Sequence, residues 1–282
     1  MPKKADPFAS RENFEANAVI ANHELPICVI QKLFCPPLIV IGMHRSGTSM
    51  LSELLHASGI FMGNDWGRNQ ESEFFQAINI RLMKQSGFDW ATPGVPIDSK
   101  PIELSFRGLS GGYVKTRRHP LQLIKLLSKS QWGWKDPRNT FTLDAWLKTF
   151  PDAKVIHIYR NGMDVALSLF HRNLKLGKGN KYYETILESK TAGLDLWEKY
   201  TAQAFSYEPL LGERMLTVQF EKIIACDRAE IDRLESFTGV PVRRQIETTA
   251  DQSRKSRYMD SQHEDLVRYA RQNGWMERLE YI

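Results

Sequence analysis

The chain has 282 residues, 42% hydrophobic and 25% charged, which excludes a wholly disordered, collagenous or low-complexity protein and leaves room for a sizeable core. Lys and Arg number 38 against 33 Asp and Glu, and the net charge of +5 suits an anionic ligand but is too weak to argue for nucleic acid by itself. Cys28, Cys35 and Cys226 form no pair of disulfide-framework or zinc-site spacing, so neither is expected and a reducing compartment is the simplest reading. The N-terminal residues lack a continuous apolar stretch, and the run from Ile27 is broken by Gln31, Lys32, Pro36 and Pro37. No signal peptide or membrane-spanning helix is therefore expected, and the location is read as cytoplasmic.

In chain order, residues 1–36 read as an irregular arm. From Pro37, LIVIG is a short β-branched run followed by the turn MHRSG and then TSMLSELLHASG, where Leu51, Leu54 and Leu55 recur at helical spacing and Gly59 stops the helix. A second helix is expected over Phe74–Gln85, then a looser Gly/Pro-rich stretch from Gly87 to Gly112. Pro120 opens a helix, WGWKD reads as a short buried strand, and Asn139 is placed to cap the helix TFTLDAWLKTF. KVIHIY is a strand, NGMDVALSLF begins a helix, and another helix is expected over Lys181–Tyr200. MLTVQF alternates as a strand does, AEIDRLESFTGVP is a helix ended by Gly239, and the last 30 residues read as a helical cap on the sheet. Alternating strands and helices without a repeat predict an α/β fold: a P-loop-type parallel sheet flanked by helices on both faces, a single domain over 37–282.

The chemistry concentrates after the first strand. Gly42 to Ser49 has the G-x4-G spacing of a phosphate loop, set between strand and helix, but Thr48 stands where a Walker loop has its Lys. Backbone N–H groups of such a loop and the following helix N-terminus converge on an anion. Without the Lys that reaches a β/γ-phosphate, ATP or GTP hydrolysis is disfavoured, and Arg45 offers a planar cation for a different transferring group. Arg160 ends the strand KVIHIY at the edge where open α/β sheets bind ligands, and its guanidinium can fork a phosphate; Ser168 follows about two helical turns on. Pairing of Arg160 with Asp164 is the structural alternative.

IVIGMHRSGTSML resembles the 5′-phosphosulfate loop of sulfotransferases that use 3′-phosphoadenosine-5′-phosphosulfate (PAPS), and HIYRNGMDVALS resembles their 3′-phosphate motif. WKDPR is similar to the Lys-Asp-Pro segment of protein-tyrosine and bacterial sulfotransferases, and VQFEKIIA with ESFTGVPV to their last strand and helix, so the resemblance runs from about Leu38 to the end. It implies sulfuryl transfer from PAPS to a hydroxyl of a carbohydrate, lipid or small molecule. The product would be 3′-phosphoadenosine-5′-phosphate (PAP), and no metal is required. Arg45, Ser46, Gly47, Thr48, Ser49, Arg160 and Ser168 would hold the nucleotide. Lys135 and Arg45 would act as electrophilic partners at the leaving oxygen. Glu73 is the expected base, because SEFFQ resembles the Glu-Phe-Phe segment of bacterial trehalose sulfotransferases; Glu71 is its rival and His44 ranks third.

Salt bridging to Asp136 is the alternative for Lys135, and Asp136 itself reads as structural. Trp132, Trp134, Trp146 and Trp197 read as core, so no adenine-stacking residue is named. Arg254, Lys255 and Arg257 could close over the 3′-phosphate, while Arg117, Arg118, Lys125 and Lys129 could face an acidic acceptor or only solvent. The competing functions are a P-loop nucleotide or small-molecule kinase and an inactive nucleotide-binding protein; scattered basic residues without a nucleic-acid motif set nucleic acid aside. Acceptor identity is expected in the loops 61–74, 87–112 and 177–190, whose composition does not encode a substrate.

Overall fold

The computed structural model describes residues 31–95, 97, 100–249 and 263–282. Most of the expected N-terminal arm and the basic stretch Arg254, Lys255 and Arg257 lie outside these residues. The elements that position the site are β1 (Leu38–Ile41), α1 (Thr48–Ala57), α2 (Glu73–Gln85), α3 (Pro120–Leu127), β2 (Gly133–Lys135), α4 (Asn139–Thr149), β3 (Lys154–Tyr159), α5 (Gly162–Leu176), α6 (Lys190–Phe205), β4 (Met215–Gln219), α7 (Phe220–Ile224) and α8 (Arg228–Thr238). Two further short helices, α9 (Glu264–Ala270) and α10 (Gly274–Arg278), close the described chain.

The four strands form one parallel sheet in the order β2-β1-β3-β4. The central strand β1 and the middle of β3 are continuous buried runs because both faces are covered there, while the edge strand β4 alternates buried and half-buried residues. Ile39, Ile41 and Val155 join one core with Phe75, Trp134 and Trp146, beneath α2 and α4. Leu38, Val40, Ile156 and Ile158, the alternate positions, join a second core with Leu51, Leu55, Ile223 and Leu234, from α1, α7 and α8. The two-face covering expected from the sequence is the observed one.

Chain direction fixes where a ligand can sit. From β1 the chain crosses to β2 on one side, whereas from β3 it continues to β4 on the other, so β1 and β3 flank the topological switch point. Leu38 is level with Lys154 and Ile41 with His157, so the loops after these two strands rise from neighbouring strand ends.

Local differences from expectation have plain causes. Asn139 is not a cap; it is the first residue of α4, and its side chain is buried, donating to Val40 O at 3.1 Å. The helix expected over 181–200 begins only at Lys190, where the Ser189 hydroxyl accepts from Ala192 N, and runs on to Phe205. The C-terminal cap packs chiefly on helices and meets the sheet through Tyr281, whose hydroxyl accepts from Gln219 of β4 at 3.1 Å. Leu266, Ala270 and Met276 fill a third core with Leu194 and Trp197, and Asn273 donates to Glu198 at 2.7 Å.

Candidate active site

The loop after β1 closes on the sheet so tightly that its glycines have no substitute. A Cβ on Gly42 (φ 137°) would lie 2.3 Å from Ile158 O, and one on Gly47 (φ 93°) would lie 2.3 Å from the Phe220 ring. Gly42 N donates to the Thr140 hydroxyl at 3.1 Å. Between the glycines, Arg45 adopts φ 72°, a left-handed conformation unusual for a side chain of its size. Its Nε donates to the Ser168 hydroxyl at 2.8 Å, which ties the loop to α5. Ser46 is fully buried and its hydroxyl has no hydrogen-bond partner among the described residues, a costly state for an oxygen with nothing to bind. Thr48 is buried in the first turn of α1, and Ser49 donates to Asn69 O at 2.6 Å.

Arg160 is 8% exposed at the end of β3. It forms an ion pair with Asp164 at 3.0 Å, the alternative considered from the sequence, and its Cζ lies 4.7 Å from the centre of the Phe220 ring. Asn161 accepts from Met163 N and so caps α5, while its own N–H donates to Glu221 at 2.9 Å. Burial raises the Glu221 carboxyl, although Asn161 N, the Tyr281 hydroxyl and Arg160 pull it down. Trp197 donates to Arg160 O at 3.0 Å from inside the third core, and Trp132, Trp134 and Trp146 lie in the first, buried as expected of them. Phe220, expected as the last alternating residue of the strand MLTVQF, instead opens α7 and touches both halves of the site.

The third part lies at the end of β2. Lys135 is 1% exposed, and its Nζ donates to Asn69 O and to Glu71 Oε1, the latter at 3.5 Å. Glu71 is surrounded by donors: Arg138 at 3.6 Å, His44 Nδ1 at 3.9 Å, and the Gln76 amide in a short hydrogen bond. Burial pushes the Glu71 carboxyl up and the Lys135 ammonium down, and their mutual attraction opposes both shifts. His44 is held well below its ordinary value, first by burial and then by Arg138, Lys135, Arg172 and Arg45, and its Nε2 has no hydrogen-bond partner among the described residues.

Glu73, the base expected from the sequence, is placed elsewhere. It is the exposed first residue of α2, its carboxylate beside Gly67. The carboxylate that meets Lys135 is that of Glu71, because Asn69 and Gln70 both take left-handed backbone conformations (φ 61° and 53°) that turn the chain back just before it. Asp136 does not pair with Lys135. It accepts from Arg138 at 2.9 Å and from Asn79 at 2.9 Å. Arg138, Asn69 and Asn79 were not singled out from the sequence, where only the Arg of WKDPR carried any signal; Gln76 stands in the SEFFQ segment without an assigned role.

A model of the sulfotransferase family matches residues 36–244. The chain belongs to the sulfotransferase family. Solved structures similar to this sulfotransferase include the sulfotransferase domain of the Synechococcus PCC 7002 olefin synthase (16% identity, 86% of this chain and 83% of that one, TM-score 0.49). A sulfotransferase from Alicyclobacillus acidocaldarius is similar too (17% identity, 86% and 95% covered, TM-score 0.48). So is a mouse sulfotransferase solved with PAP (14% identity, 80% and 68% covered, TM-score 0.39). No curated protein sequence matches the chain. No helix among the described residues is long and apolar enough to cross a membrane.

Proposed function

We propose that this sulfotransferase transfers a sulfuryl group from PAPS to a hydroxyl of a carbohydrate, lipid or small-molecule acceptor, with residues 37–282 as the catalytic domain and residues 1–36 as an arm. The observation that carries the reading is a phosphate loop without its lysine standing at the switch point beside the buried Arg160. A 5′-phosphosulfate suits the loop. The closed glycine positions leave the backbone bare for close approach, and the unpartnered Ser46 hydroxyl is a donor in waiting. Arg160 and Ser168 suit a 3′-phosphate; a guanidinium has five donors, so an ion pair with Asp164 that orients it is compatible with a phosphate.

PAPS supplies an activated sulfuryl group. In this reading Glu71, rather than Glu73, accepts the proton of the acceptor hydroxyl as that oxygen bonds to sulfur and the bond from sulfur to the 5′-phosphate oxygen breaks. A raised carboxyl pKa suits a base that must hand its proton on at neutral pH. The phosphate oxygen leaves with the electron pair, and Lys135 and Arg45 stabilise the charge that grows on it, in a reaction that needs no metal. Gln76 and Arg138 orient Glu71.

Calorimetric titration of PAP, ADP and ATP into wild type and Arg160→Ala tests the assignment. PAP is expected to bind in preference to both other nucleotides, and the substitution to weaken it about ten- to a hundred-fold, the cost of a charge-assisted hydrogen bond. Equal binding of ATP, or an Arg160→Ala protein that binds PAP as wild type does, would sink the reading in favour of a kinase.

A further inference from the structure

Ahead of β2 in the chain, α3 turns an apolar side outward. Leu121, Ile124 and Leu127 are 70%, 57% and 39% exposed, and with Pro120 they form one face of the helix; only Leu126 of α3 is fully buried. Isolated exposed leucines are ordinary on a protein surface, but a contiguous face of a helix is not.

The charge around this face is one-sided. Between residues 104 and 134 the chain carries Arg107, Lys115, Arg117, Arg118, Lys125 and Lys129 and no Asp or Glu at all, although acidic residues number 33 in the whole chain. Arg117, Arg118 and Lys125 are exposed, and no ion pair among the described residues involves them. Arg118, His119 and Lys125 also line, with Asn64, Pro120, Leu121 and Gln122, a hollow of about 300 Å³ at the start of α3. A basic hollow opening beside an apolar helix face matches a surface that is anionic at one depth and apolar just below it.

We propose that α3 and its flanks dock this protein onto an anionic phospholipid surface, with headgroup phosphates met by Arg118 and Lys125 and the side chains of Leu121, Ile124 and Leu127 entering the interface. A solvated basic patch needs no exposed leucines, and a polynucleotide has no apolar layer to receive them; a bilayer answers both features together. The inference does not rest on the proposed donor chemistry, since Arg118, Leu121, Ile124 and Lys125 hold none of the roles proposed for PAPS binding or catalysis, and for Arg118 and Lys125 it takes the place of the acidic-acceptor reading.

Co-sedimentation of the full chain with vesicles of phosphatidylglycerol and phosphatidylcholine, against vesicles of phosphatidylcholine alone, tests it. Binding is expected to the anionic vesicles only and to fall as salt rises. Each of Arg118→Gln and Lys125→Gln should weaken it about five-fold. Leu121→Ser with Ile124→Ser should weaken it about ten-fold or more while leaving the melting temperature and PAP titration unchanged, because these side chains pack against little. The proposal is overturned by absence of binding to anionic vesicles, by equal binding to neutral ones, or by variants that sediment as wild type does. It is equally overturned if the Leu121→Ser, Ile124→Ser protein loses only a concentration-dependent self-association, or if the patch retains an oligonucleotide and ignores vesicles.

Discussion

Glu71 and Glu73 stand two positions apart and meet opposite surroundings: one lies 6% exposed among Lys135, Arg138 and His44, the other is exposed at the first turn of α2. Sequence reasoning preferred Glu73 from a short resemblance. The choice turns on the left-handed residues Asn69 and Gln70, neither of them a glycine, which with Gly67 reverse the chain, Gly67 N donating to Glu71 O at 2.9 Å. With PAPS and a hydroxyl acceptor that supports turnover, Glu71→Gln should lower kcat about 100- to 10,000-fold, read as PAP release, while Glu73→Gln stays within a few-fold. Because burial raises the Glu71 carboxyl, activity should fall with acidification from above the ordinary carboxylate range of about 4.3. A Glu73→Gln enzyme that alone loses activity would restore the sequence-based assignment. The placement of the loop that carries Arg45, Ser46, Thr48 and Ser49 between a strand and a helix was legible because strand, glycine pair and helix follow one another locally.

Among the elements, α2 and the turn between β2 and α4 are joined by one buried side chain. Asn79, 0% exposed, donates to Asp136 at 2.9 Å and to Asn139 at 2.8 Å, and accepts from Thr142 at 2.8 Å and Trp146 at 2.8 Å. Every polar atom of its amide is used, so the turn that presents Lys135 and Arg138 is held from behind. A polar residue in an amphipathic helix reads as surface from sequence alone, and the partners that make Asn79 internal lie more than fifty residues away, which is why none of this was foreseen. Asn79→Ala should strand several buried groups, at a cost of about 3 kcal/mol or more, and lower the melting temperature by roughly 5–10 °C. A smaller shift would mean that water replaces the amide. The strands and most helices were read correctly because their apolar periods are local; that the C-terminal cap seats mostly on helices and only through Tyr281 on strand residues was not legible, because an amphipathic end says that it packs but not on what.

For the molecule as a whole, acid stability depends on histidines folded into dry places. His157 is 1% exposed in β3, its ring 5.0 Å from that of Phe205, and burial pushes it down to about 3 from 6.5. The unfolded chain therefore binds this proton where the folded one does not, and stability is lost as pH falls from about 6.5 toward 3. Asp65 acts in the opposite sense: raised to about 6 from 3.8, chiefly by burial, it costs stability as pH rises through that interval. His157→Phe should leave a protein whose melting temperature declines less between pH 7 and pH 5 than that of wild type, as differential scanning calorimetry would show; parallel declines would assign the effect to other groups. The pairing of β1 with β3, level from Leu38–Lys154 to Ile41–His157, has a consequence of another kind. Adjacent strands lie about 4.8 Å apart, so the roots of the Gly42 loop and of Arg160 are spaced by hydrogen bonds of the backbone and not by any side chain. Point substitutions can weaken either root, but only an inserted or deleted residue can change the interval between them, and one such residue in β3 would turn its side chains to the opposite face. The distance between the two anion sites is thus a ruler written in chain length, insensitive to residue identity and intolerant of a single miscount.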